Sequence, residues 1–204
     1  VGGGLSGLTA ASVLGNAGRK FTLFEASDRL GGRIHSVHDA HSTLLDLGPT
    51  WVWPPYQPSV TNWMNRLGLK TFAQYETGPA VLDLQSEPAP RHQHLPGQHG
   101  MVRIVNGPQA FIDALSNTVP QNQITYDHEL TQISFIDGHF VLKFGDSDAK
   151  TVTAGNVIIC APLRRMVEQV TWNGLLNDEA QAVMKAAPTW MATQTKVSVL
   201  YAHP

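Results

Sequence analysis

VGGGLSGLTAASVLGNAG, residues 1–18, and FTLFEASDRLGGRI, residues 21–34, decide the fold. Gly2, Gly4 and Gly7 fit the pattern G-x-G-x-x-G. Beyond them Ala10, Val13, Leu14 and Ala17 recur at helical spacing, and Gly18 supplies a C-terminal stop. Phe21 to Phe24 read as a short apolar strand ending in Glu25, an acid 18 residues after Gly7. A ribose-binding carboxylate is expected about 20 residues beyond such a loop. The chemistry asks for each part. Gly2 allows a tight turn, Gly4 lets backbone approach a pyrophosphate, and Gly7 lets helix pack on strand. The helix N-terminus offers free N–H groups and the positive end of the helix dipole to an anion. The stretch therefore predicts a dinucleotide site. Only Val1 represents the strand that leads into Gly2, so the chain is expected to begin inside its own motif.

A second cluster follows at once. Gly31 and Gly32 free the backbone from ordinary steric limits, and Arg33 adds a fork-shaped cation where the chain can bend closely around a ligand.

Composition narrows the classes of function. The 204 residues are 42% apolar and 15% charged, with a net charge of −2. No basic patch points to nucleic acid, and no apolar run reaches membrane-spanning length. A single cysteine, Cys160, excludes an internal disulfide framework and fits a reducing compartment, so a cytoplasmic location is expected. His35, His38 and His41 lie three apart and His92 and His94 alternate, but no matching acid or cysteine cluster accompanies them, so no metal is expected.

Farther along, LLDLGPTWVWPPYQP (44–58) reads as a loop laid against something flat. Ser59 is expected to cap a short helix carrying Val60, Trp63, Met64 and Leu67 and ended by Gly68. Residues 76–100 read as irregular or weakly stranded. Pro108 starts a helix with Phe111, Ala114 and Leu115 on its apolar face. After a short strand at 124–126, LTQISFI and HFVLKF form a hairpin about Asp137-Gly138, with Phe140, Leu142 and Phe144 on one face. KTVTA adds a third antiparallel strand. NVIIC (156–160) has the continuous apolar character of a buried parallel strand. A helix is expected near 178–187. TKVSVLYA (195–202) alternates as a strand, with Val197, Val199 and Tyr201 on one face and Lys196 and Ser198 on the other. A nicotinamide dehydrogenase would continue as alternating β-α-β units. An antiparallel meander in their place separates this chain from that class.

With these elements placed, the sequence resembles the flavin-containing amine oxidase family of monoamine, polyamine and L-amino-acid oxidases. VGGGLSGL resembles the FAD pyrophosphate loop, and FEASDRLGGRI the E-A-x-x-R-x-G-G-R signature. DLGPTWV, VRIVNGPQAFIDAL, VIICAPL and TKVSVLY resemble the family's segments near the flavin. The implied fold is α/β: an FAD-binding Rossmann-like domain with a three-stranded antiparallel meander and an interleaved α+β substrate domain. Residues 1–49 and 103–162 are expected to form the FAD part, and 50–102 and 163–204 parts of the substrate domain.

The resemblance implies FAD contacts from Gly2, Gly4, Leu5, Ser6, Gly7, Ala26, Gly31 and Gly32. Glu25 is expected to hold the adenosine ribose, and Arg33 to neutralise the pyrophosphate. Leu130 would read the adenine edge through its backbone. Gly48, Pro49, Thr50 and Trp51 would approach the isoalloxazine; for Trp51 a place in the core is the competing reading. Pro49 stands where the family commonly has Gly or Ala, and Ser27 replaces a basic residue seen in some members. Lys196 is the implied catalytic residue, holding a water against flavin N5. The implied reaction takes a hydride from an amine to the flavin, with oxygen as acceptor and imine and hydrogen peroxide as products. Cys160 reads as a small apolar core residue rather than a covalent flavin link. The family places a second FAD segment and an aromatic cage beyond the lysine strand, so this chain is expected to be an N-terminal portion, with substrate identity outside it. Two alternatives stay open: a flavoenzyme of the protoporphyrinogen-oxidase or carotenoid-desaturase type, and a non-catalytic flavin-binding protein.

Overall fold

The structure is a computed structural model that describes residues 1–75, 78–82, 89, 91–93, 100–145, 150–188 and 195–200. Helix α1 spans Leu5–Asn16, with Gly4 at its N-cap. Its buried face is Gly7, Leu8, Ala11 and Ser12, while Val13 is 50% exposed. Of the apolar stripe read from Ala10, Val13, Leu14 and Ala17, Val13 and Ala17 are exposed and Ala10 and Leu14 half-buried, so the stripe lies to the side of the buried face. Close packing sets the rotation. A Cβ on Gly7 would come within 1.8 Å of Gly2 O, so this side of the helix must carry no side chain where it meets the turn. Ser12 accepts a hydrogen bond from Thr118 Oγ1 at 2.9 Å, which lets a polar residue sit at the helix interface.

Strand β1 (Leu23–Phe24) pairs in parallel with β9 (Ile124–Thr125), in register Leu23↔Ile124. Gly2 N–H donates to Phe24 O at 2.8 Å. On the other side the Val1 backbone nitrogen donates to Ile158 O and Cys160 N–H to Val1 O, each at 2.8 Å. Residues 157–160, 1–2, 23–25 and 124–125 thus run side by side as the parallel frame of an α/β fold. NVIIC belongs to this frame but is not buried on both faces. Val157 and Ile159 pack inward while Ile158 is 51% exposed, and Cys160 is half-buried rather than a core residue.

Between β1 and β9 the chain makes smaller elements: β2 (Ser36–His38), β3 (Leu44–Asp46), β4 (Trp51–Val52), α2 (Pro58–Arg66), β5 (Thr71–Ala73), β6 (Ala80–Leu82), β7 (Arg91–Gln93), β8 (Val102–Ile104) and α3 (Gln109–Ser116). The stretch 44–58, expected as a loop, holds β3, which pairs with β2, and the edge strand β4 of the sheet β4-β8-β5. In α2 Pro58 is the first helical residue and Gln57 the N-cap, so Ser59 lies inside the first turn instead of capping it. Met64 is buried with Val60, Trp63 and Leu67 packed around it, and Gly68 leaves the helix at φ +69°. Helix α3 buries Phe111, Ile112 and Leu115; Ile112 takes the place expected for Ala114.

The meander follows as β10 (Leu130–Ile136), β11 (His139–Phe144) and β12 (Thr151–Ala154). Asp137 at φ +49° and Gly138 at φ +81° make the tight primed turn that Asp-Gly favours. Helices α4 (Leu163–Gln169) and α5 (Asp178–Ala186) close the described fold; only α5 was legible in the sequence. Residues 195–200 are not a strand. They have no ladder partner among the described residues, and Val197 and Val199 are exposed, so alternation there does not mark a packed face. Tyr201, Ala202 and His94 lie outside the described residues, as does the side chain of His92.

Two clusters form the core. One joins α1, α2, α3 and the strands between them around Leu8, Ile112 and Leu115. The other joins the meander to α4 around Ile133, Leu142, Phe144 and Met166, and Val1 and Phe24 pack against it.

Candidate functional site

The first part of the site is the turn into α1. Gly2 has φ +103°, and a Cβ there would meet Cys160 O at 2.8 Å. Gly7 is equally constrained by Gly2 O. Gly4 is different: an added Cβ would find nothing nearer than Gly31 O at 3.8 Å. Gly4 therefore faces open space, opposite Gly32, whose own Cβ position lies 3.5 Å from Gly4 Cα. The two glycines make a bare backbone floor at the start of α1. No side chain caps the helix, and its first turn holds no acid. The N–H groups of Leu5, Ser6 and Gly7 precede the first helical bond, which Leu8 N–H makes to Gly4 O at 3.0 Å. This arrangement suits an anion.

Glu25 stands under the floor, buried. Its Oε2 accepts from Gly3 N–H at 2.6 Å, and its Oε1 from Ser27 N–H at 2.9 Å and Ser27 Oγ at 2.8 Å. A carboxylate offers about four acceptor sites, so three are filled and about one is left for a ligand hydroxyl. Gly3, the x of the motif, is required by this carboxylate: a Cβ there would lie 3.0 Å from Oε2 and 2.6 Å from Leu30 Cδ2. Ala26 is exposed beside it.

Gly31 and Gly32, at φ +113° and +56°, lie against the first loop through Gly31 N–H to Gly3 O at 2.9 Å. Arg29 braces this second turn by donating to Leu30 O (3.3 Å), Ile34 O (3.2 Å) and Gly32 O (2.9 Å). Sequence reasoning passed over Arg29; its only signal was its place in the E-A-x-x-R-x-G-G-R pattern. Arg33 is exposed and makes no hydrogen bond or ion pair among the described residues. Leu130 lies in β10 opposite Phe144. Gly145 N–H donates to Glu129 O at 2.8 Å, which makes Leu130–Phe144 a non-hydrogen-bonded pair. The Leu130 N–H and C=O therefore face away from β11.

The second part is the turn after β3. A Cβ on Gly48 would lie 2.1 Å from Arg33 O, so this turn packs directly on the first one. Thr50 is buried, Pro49 is exposed, and Trp51 is 45% exposed with its indole N–H donating to Gln74 Oε1 at 2.8 Å. The core reading of Trp51 does not hold. Lys196 reaches this turn from 148 residues away: its Nζ donates to Gly48 O at 2.8 Å and to Thr50 Oγ1. An ammonium has three donors, so about one remains. Burial pulls the Lys196 pKa below the ordinary lysine value; attraction to Asp46 opposes that and repulsion from Arg103 adds to it. Asp46 and Arg103 lay in quoted motifs but were not singled out as site residues.

The residues present fit an adenine dinucleotide: a bare, uncapped helix N-terminus, a fixed carboxylate one strand away and an outward-facing backbone edge at Leu130. Among the described residues no three His, Cys, Asp or Glu side chains converge as metal ligands, and no helix is long and apolar enough to cross a membrane.

Comparison with known proteins shows what the chain is similar to. The profile of the family described as flavin containing amine oxidoreductase matches residues 5–94. The flavin-containing amine oxidase B of Sus scrofa is 32% identical over 113 residues, 55% of this chain and 20% of that protein. The L-amino-acid oxidase of Naja atra is 42% identical over 71 residues, 34% of this chain and 14% of that protein. Wild-type putrescine oxidase bound to putrescine superposes with a TM-score of 0.75 at 15% identity, covering 90% of this chain and 62% of that one. Cyclohexylamine oxidase from Brevibacterium oxydans IH-35A gives 0.75 at 12% identity, covering 91% and 61%. Residues 5–94, less than half of the chain, match the flavin containing amine oxidoreductase family, and the chain is similar in sequence to flavin-containing amine oxidases and in fold to putrescine oxidase. It spans a fifth or less of the length of these curated relatives.

Proposed function

We propose that this chain is the FAD-binding portion of an enzyme that oxidises a small-molecule amine. The observation that carries the reading is the bare glycine floor: Gly4 is the one motif glycine whose missing side chain the protein's own packing does not demand. A ligand approaching the backbone supplies the demand. On this reading the N–H groups of Leu5, Ser6 and Gly7 bind the pyrophosphate, with Arg33 as its counter-charge. Glu25, with Ala26 alongside, gives its remaining acceptor to the adenosine ribose, and the Leu130 backbone meets the adenine. Residues 1–49 and 103–162 form the FAD part, and 50–102 and 163–204 contribute to the substrate part.

When bound, FAD supplies the acceptor for a hydride from the carbon next to the amine nitrogen, with oxygen as final acceptor and imine and hydrogen peroxide as products. The protein's part is positioning. Gly48, Pro49, Thr50 and Trp51 border the isoalloxazine. The remaining donor of Lys196 would hold a water beside the flavin, and its charge would favour negative charge on the bound group.

The test is the full-length protein. It should be yellow, release FAD on denaturation, and bleach anaerobically with an amine. A colourless protein that takes up NAD and not FAD would sink the cofactor assignment. Bleaching by a porphyrinogen or polyene but by no amine would move it to the other flavoenzymes. Bound FAD that no substrate reduces would leave a non-catalytic protein.

A further inference from the structure

Behind the Gly48–Thr50 turn lies a buried charge that the proposed reaction does not use. Asp46 ends β3, two residues before Gly48, and its side chain is 5% exposed. Ser36 Oγ, opposite it on β2, donates to Oδ1 at 2.8 Å. Arg103 Nη2, from the central strand β8, donates to Oδ2 at 3.3 Å. The fold makes room for this carboxylate: Gly107 sits at φ +75°, and a Cβ there would come within 2.7 Å of Oδ1. A carboxylate so deeply buried needs such partners to offset its lost hydration. Arg103 is held in turn, its guanidinium 5.7 Å from the Phe72 ring and its strand flanked by β4 and β5.

This pair and Lys196 share the same short turn. Lys196 binds the turn at Gly48 O and Thr50 Oγ1, while Asp46 anchors the strand that leads into it. Other ionisable residues border the turn through their backbones. His35 O accepts from Leu47 and Gly48 N–H, and Arg33 O packs on Gly48 with its side chain exposed.

We propose that Asp46 is a positioning residue for Lys196: paired with Ser36 and Arg103, it fixes the turn that receives the ammonium. Its negative charge favours that ammonium, and the Arg103 charge opposes it. The inference rests on the role given to Lys196 above. It has a sign that simple support of the fold lacks. Removing the Asp46 charge disfavours the ammonium, and removing the Arg103 charge favours it.

The experiment is competitive acetylation of the full-length protein with acetic anhydride across pH, with and without FAD, reading the Lys196 peptide by mass spectrometry. Only the free amine reacts. Asp46→Asn should speed labelling of Lys196 near pH 8 by about threefold, and Arg103→Gln should slow it by about twofold. Asp46→Glu and Arg103→Lys, which keep the charges, should stay near the parent. If Asp46→Asn fails to fold, the Arg103→Gln and Arg103→Lys pair decides alone. Opposite shifts that vanish in the conservative variants support the proposal. Unchanged labelling, or faster labelling in every variant, overturns it. Labelling needs no amine oxidation, so a protein that oxidises no amine yet gives these shifts fails the functional reading and not this one.

Discussion

Two glycine-bearing turns meet at the candidate site, and they are built by different means. The Gly2–Gly7 turn is closed by steric demand within one short stretch. Gly7 has 1.8 Å to Gly2 O where a Cβ would stand, and Glu25 is tied to Gly3 from the next strand. The Gly48–Thr50 turn is also sterically closed, with 2.1 Å between a Cβ on Gly48 and Arg33 O, yet its cation arrives from Lys196 through two hydrogen bonds spanning most of the chain. The first turn can be specified by local spacing. The second exists only once distant segments have met.

The largest expected effect tests the steric half of this contrast. Gly7→Ala and Gly48→Ala should each destabilise the protein by about 3 kcal/mol or more, since backbone on both sides would have to move. Gly4→Ala should cost less than about 1 kcal/mol of stability and still lose FAD retention. Urea unfolding with and without FAD separates the two kinds of glycine. Equal destabilisation at all three positions would erase the distinction.

Arg33→Ala comes next. The side chain has no partner among the described residues, so unfolding should change by no more than about 0.5 kcal/mol. FAD binding should weaken by about 1.5–3 kcal/mol, roughly ten- to more than a hundredfold. Arg33→Lys should recover part of that, because a point charge cannot bridge two phosphoryl oxygens as a fork does. Unchanged FAD retention in the alanine variant would point Arg33 to solvent.

Lys196→Met sharpens the other half. Fold and FAD binding should survive, because the lost contacts lie at an exposed residue. Reoxidation by oxygen should slow by about tenfold or more, the scale of losing one aimed electrostatic donor. Reduction by amine should change less, and stopped-flow measurement of both half-reactions decides; equal reoxidation in parent and variant would end the proposed role.

The smallest effect is in pH. Burial lowers the Lys196 pKa in the folded state, so just below the ordinary lysine value the unfolded chain binds more protons than the folded one. Stability should rise slightly with pH through that window, discounted because the residue is exposed. The rise should be missing in Lys196→Met, and an identical slope in the two proteins would deny the shift.

Much of the first turn was legible in the sequence because its constraints are local. Spacing set Gly2, Gly7 and Glu25 in their places. The Asp-Gly pair set the hairpin, and the meander followed from alternation at residues 130–154. What was misread depended on neighbours remote in sequence. The stripe on α1 pointed to Val13, but the helix turns Gly7 and Ser12 inward because Gly2 and Thr118 wait there. Alternation at 195–202 suggested a strand, but a strand is made by a ladder partner, and residues 195–200 have none among the described residues.

The sequence by itself determined the glycine turn and its acid, since glycine's freedom and a strand's reach act over a few residues. Only the tertiary structure decided that Arg29 braces the second turn, that Glu25 has about one acceptor left, and that Asp46 and Arg103 meet 57 residues apart beneath the loop that Lys196 grips. Arg29 bonds within residues 30–34, but the meeting of Asp46, Arg103 and Lys196 comes from charges and hydrogen bonds between segments that only the finished core brings together, and nothing in their local spacing records it.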